Sequence, residues 1–72
     1  MSESRKVHVL TCAPGRGLRV SPAPGVDSAV PIGKFFADGD IDILVAHAVG
    51  GGVKLIVTAH PDLTVQVVDA HY

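Results

Sequence analysis

The 72 residues are enough for one domain; 47% of them are hydrophobic and only 4% aromatic. Six Lys+Arg against seven Asp+Glu leave a net charge of −1, without the basic excess of an electrostatically driven nucleic-acid binder. No apolar run approaches the length of a membrane-spanning helix.

A core this small is marginal for a monomer, because small domains bury a lower fraction of their surface. The usual aids are a disulfide, a metal or oligomerisation. Cys12 is the single cysteine, so no internal disulfide can form. The histidines His8, His47, His60 and His71 lack ligand spacing, so neither a metal nor another cofactor is expected. Oligomerisation remains, and a homodimer is the expectation. The opening MSESRKVHV lacks the layout of a signal peptide. With one free cysteine this suggests a reducing, cytoplasmic setting.

Residues 1–5 are polar and expected to fray. Residues 6–11, KVHVLT, alternate and read as a strand. Val7, Val9 and Thr11 share one side, Lys6, His8 and Leu10 the other. Ala13-Pro14-Gly15-Arg16-Gly17 reads as a tight turn, since proline fixes φ and glycine permits φ > 0. Leu18-Arg19-Val20 then returns as a second strand, giving a hairpin. Residues 21–28, SPAPGVDS, read as a loop, because Pro22 and Pro24 remove two backbone donors. Residues 29–36, AVPIGKFF, fit a short edge strand interrupted by Pro31 or a packed loop. At least one of Phe35 and Phe36 should plug the core. Neighbours on a strand point opposite ways, which leaves the other for a contact surface.

Ala37-Asp38-Gly39-Asp40 is a turn. Residues 41–68 follow as three Val/Ile-rich runs of strand length. Gly50-Gly51-Gly52 and His60-Pro61-Asp62 separate them. They predict a three-stranded antiparallel meander around which the rest folds. In its first strand Ile41, Ile43, Val45, His47 and Val49 share a face opposite Asp42, Leu44, Ala46 and Ala48. In the second, Val53, Leu55, Val57 and Ala59 oppose Lys54, Ile56 and Thr58. In the third, Leu63, Val65 and Val67 oppose Thr64, Gln66 and Val68. Residues 69–72 form a tail in which Tyr72 can anchor. No stretch carries a helical stripe. The fold class is all-β: a small five-stranded antiparallel sheet or barrel, completed by homodimerisation. Pairing would cover sheet edges that otherwise invite aggregation.

Motifs for chemistry are sparse. Gly15-Arg16-Gly17 lacks the third glycine of a nucleotide-binding loop and precedes no helix. Nothing in the sequence brings Cys12 to a histidine as a nucleophile pair. Asp38, Asp40 and Asp42 lack the downstream Glu of a calcium loop. With no acid–base constellation, an enzyme is not expected. Lys6, Arg16, Arg19 and Lys34, with Arg5, all lie in the first half. They can gather near one end of the first hairpin as a local basic patch that touches phosphates. The scarcity of aromatics argues against a stacking platform for single strands.

With these strands placed, the chain resembles the carbon storage regulator family (CsrA/RsmA), small homodimeric RNA-binding proteins that control translation. VHVLTCAPGRGLRV, residues 7–20, looks like the family's opening strand and turn. Leu10-Thr11 falls on its Leu-Thr, Gly15 on its turn glycine, and Leu18 and Val20 on the apolar positions that follow. Residues 41–67 look like its remaining strands, with VKLIVTA and LTVQV in place of the family's runs. His60 is one residue more than the family has between its Ala and Pro. Most of residues 21–40 is an insertion. The family's RNA-contacting arginines fall on Cys12, Ala13 and Val67, which cannot make bidentate contacts to phosphate or base edges. The resemblance therefore implies the scaffold and the dimer more than the activity.

Two functions remain in view. One is a regulatory binding protein of the translational-regulator type, with weakened RNA binding through Lys6, Arg16, Arg19 and Lys34. The other is a protein-interaction module, an inhibitor or adaptor, that uses the 21–36 loop with Phe35 or Phe36 at the contact.

Overall fold

The computed structural model describes residues 4–69. The described chain is all-β, with five strands in two antiparallel sheets. The strands are β1 (Lys6–Cys12), β2 (Arg16–Pro22), β3 (Asp42–Val49), β4 (Gly52–Ala59) and β5 (Leu63–Asp69). One sheet has the order β1-β4-β3, and the other pairs β2 with β5. The two sheets do not close into a barrel.

Of the expected meander only the β3–β4 pairing is kept, and the expected first hairpin gives way to other pairings. β1 pairs with β4, Lys6 opposite Ala59 and Cys12 opposite Val53. β2 pairs with β5, Arg16 opposite Asp69 and Pro22 opposite Leu63. Only β3 and β4 form a true hairpin, with Val49 opposite Gly52. Turn chemistry explains the difference. A two-residue hairpin needs a turn with positive φ at its first central residue, because the common turns splay the strands. Gly50 and Gly51 have φ of 22° and 83°, so they match the strand twist. The Ala13–Arg16 turn, closed by the Arg16 N–H on the Ala13 carbonyl at 3.1 Å, has Pro14 at its first central position. Proline holds φ near −65°, and Gly15 follows at 86°. The His60–Leu63 turn, closed at 2.9 Å, puts Pro61 in the same place. Both turns therefore send the chain from one sheet into the other.

The core sits where β2 and β5 pack against the β1 side of the larger sheet. It holds Val57 and Ala59 of β4, Leu63 and Val65 of β5, and Phe35. Phe35 belongs to a short 3₁₀ helix, Ile32–Phe36, in the segment expected to be an edge strand or packed loop. Its ring meets the His60 ring edge-on, centroids 5.7 Å apart. The loop expected from residue 21 starts later, because Ser21 and Pro22 complete β2. Residues 23–41 then run as successive turns. Asp27 Oδ1 accepts from the Ala29 N–H at 2.8 Å. Val26, Val30 and Ile41 pack on Phe35, Ala59 and Leu63, so this segment lids one end of the core.

Arg5, expected to fray, is held. Its guanidinium donates to the Asp40 carbonyl at 2.7 Å and to the Asp42 carboxylate at 2.7 Å. It also lies over Gly39, whose φ is 134° and where an added Cβ would come within 3.1 Å of the guanidinium carbon. Residues 1–3, and residues 70–72 with the Tyr72 anchor, lie outside the described residues; Asp69, expected in the tail, ends β5. Among the described residues no helix is long and apolar enough to cross a membrane.

Candidate interaction surfaces

Cross-strand partners share a face, so the register assigns every side chain of the larger sheet. The inner face, toward β2 and β5, carries Lys6, His8, Leu10 and Cys12 of β1 with Ala59, Val57, Leu55 and Val53 of β4, Lys6 lying at the end far from the groove described below. The opposite, outer face carries Val7, Val9 and Thr11 with Lys54, Ile56 and Thr58. On β3 the expected alternation breaks. A bulge between Val45 and His47 leaves Ala46 without a partner, so His47 pairs with Lys54 and Ala48 with Val53. His47 therefore leaves the face of Ile43 and Val45 for that of Leu44, and Ala48 takes its place.

The smaller sheet does not reach across the larger one. Seven of the eight β3 residues are exposed. Ile43 and Val45 keep 53% and 65% of their surface in water although they share the inner face with fully buried Val57. Beside them a groove of about 660 Å³ is lined by Cys12, Ala13, Pro14, Val45, Ala48 and Leu55, among others. No charged side chain lines it. On the outer face Val9, Ile56 and Leu44 form an apolar band across all three strands, flanked by Thr11, Lys54 and His47.

The cations predicted to contact phosphate are not brought together. Lys6 lies opposite Ala59, at the end of the larger sheet where β4 turns into β5. Arg16 lies at the far end of the smaller sheet, ion-paired to Asp69 at 3.3 Å. Arg19 stands mid-strand beside Gln66. Lys34, in the 3₁₀ helix, faces Asp62 at 3.8 Å. The expected patch needs a β1–β2 hairpin, and it disperses because those strands lie in different sheets. Both ion pairs are largely exposed and worth at most about 1 kcal/mol.

Of the two phenylalanines, Phe35 is buried and Phe36 is 41% exposed. Phe35 therefore serves the core rather than a partner. Phe36, Val20 and Ile32 line a second groove of about 310 Å³ together with Pro22, Phe35, Ile41 and Leu63. Cys12 Sγ donates to the Ala13 carbonyl at 3.8 Å. Among the described residues no three His, Cys, Asp or Glu side chains cluster as metal ligands. The His60 ring serves its turn, Nδ1 accepting from the Asp62 N–H at 3.0 Å.

Sequence reasoning missed the inner groove. Val45, Ala48, Val53 and Leu55 were expected on strands, whereas Cys12 and Gly52 extend β1 and β4 beyond the expected ends; the groove's openness depends on how far the second sheet extends, which no local pattern encodes. No family model, curated protein or solved structure matches the chain.

Proposed function

We propose that this chain is a small, non-enzymatic regulatory binding protein that works as a homodimer. Its mode of action is that of the translational regulators it resembles, with weaker RNA binding. The observation that supports this reading best is the bare β3. A strand exposed on both faces and along one edge is a surface built for contact. RNA contact falls to dispersed cations. Arg19 and Lys6 have no ion-pair partner among the described residues. Arg16 and Lys34 sit in weak surface pairs that a phosphate can replace. Four such cations per chain are eight per dimer, and each neutralised phosphate adds a little under one unit of slope, so RNA binding should weaken steeply with salt.

A second reading rests on Phe36, Ile32 and Val20. Ile32 is 75% exposed, and these side chains border an apolar groove that suits a protein partner. Affinity capture from lysate, divided and treated with or without RNase, separates the two. Enriched RNA that disappears when Arg16 and Arg19 are changed to Ala supports the regulator. A protein retained after RNase and lost in Phe36→Ser supports the interaction module. Failure to retain either overturns both.

A further inference from the structure

We infer that the inner face of β3 and the groove beside it form the docking surface for a second copy of the chain. This rests on the homodimer reading and adds to it the surface used.

Three observations lead to it. The first is area. A folded chain of 7.4 kDa has little surface to spare for uncovered apolar side chains. This chain leaves seven of the eight β3 residues exposed, Ile43, Leu44 and Val45 at 53%, 59% and 65%. A standard stable interface takes about 800 Å² from each partner, and an apolar edge strand open on its inner face together with the groove beside it offers a contiguous surface for one.

The second is continuity with the core. Ile43 and Val45 stand on the same face as buried Val57 and half-buried Leu55. The apolar layer therefore continues past the margin of the smaller sheet. A second copy laid there would complete the layer that β2 and β5 cover only on the β1 side.

The third is charge. A two-fold contact brings each side chain near its own copy, so a charged patch repels itself. The groove has no charged lining residue. The outer face of the same sheet carries Asp42, Lys54 and His47 among its apolar residues, and these keep it solvated.

Neighbouring residues on β3 provide the test. Val45 faces inward and Leu44, 59% exposed, faces outward. Sedimentation equilibrium of the full chain is compared with Val45→Asp and Leu44→Asp, and circular dichroism confirms that each variant folds. The expected result is a dimer for the wild type and Leu44→Asp, and a monomer for Val45→Asp, with at least a hundredfold weaker association. Cys12 gives a second readout that needs no β3 variant. Cys12 lines the groove on the inner face, so its maleimide labelling should slow at least tenfold as concentration rises through the dimerisation range.

A wild-type monomer at all concentrations overturns the homodimer reading itself. A dimer that survives Val45→Asp, or dissociates in Leu44→Asp, leaves the homodimer standing and overturns this surface. If Val45→Asp does not fold, the Cys12 labelling decides, and equal rates in monomer and dimer overturn the surface.

Discussion

His8 occupies the inner face of β1 opposite Val57, and its Nε2 is buried without a hydrogen-bond partner. An unsatisfied buried polar group costs about 1–3 kcal/mol. Exchange for an apolar side chain of similar reach removes that cost. His8→Leu should therefore stabilise the fold by about 1 kcal/mol, read as a higher urea midpoint with unchanged slope; a lower midpoint would contradict it. The Arg5 clamp makes the opposite case. Gly39 has a φ that other residues adopt at a cost, and the guanidinium occupies the space above it. Gly39→Ala should lose about 1–2 kcal/mol through backbone strain alone, with more if Arg5 is displaced. Urea unfolding of Gly39→Ala, Arg5→Ala and the double variant checks this. If the clamp is real, the two losses will not add, because the residues are in contact.

At the scale of elements, strand positions were legible and strand partners were not. Alternating Val, Ile and Leu reveals which residues share a face, as it did for Val53, Leu55, Val57 and Ala59. A period of two carries no information about which strand lies alongside. The missing information lay in the turns. Pro14 and Pro61 each occupy a position where a tight hairpin needs positive φ, whereas Gly50-Gly51 meets that need. Read for turn type rather than for the mere presence of Pro and Gly, the sequence contains one hairpin and two sheet-to-sheet crossings. The Ala46 bulge had no such signal. Small and flanked by Val45 and His47, Ala46 looks like any other strand residue. The candidate site was half legible for a similar reason. Exposed cations and an exposed phenylalanine can be named from the sequence, but their grouping depends on pairings that form far along the chain.

The whole molecule is a flat sandwich with one wing uncovered, a shape that couples stability to association. A second copy that binds only the folded chain stabilises it by mass action. The thermal midpoint should therefore rise by several degrees with each tenfold increase in protein concentration, a shift that scanning calorimetry detects. Val45→Asp should abolish the dependence while keeping a cooperative transition. A midpoint independent of concentration would place the functional unit at one chain.

The two crossings also set the order of folding. The β3–β4 hairpin closes over two glycines, and such hairpins form in about 1–10 μs. The other two pairings join the first third of the chain to the last. Closing those long loops costs entropy before any contact repays it, and proteins dominated by such pairings fold in about milliseconds to seconds. Until those pairings form, apolar β4 lacks β1 alongside it, so a newly made chain is most vulnerable to its neighbours before its own N-terminal strand arrives.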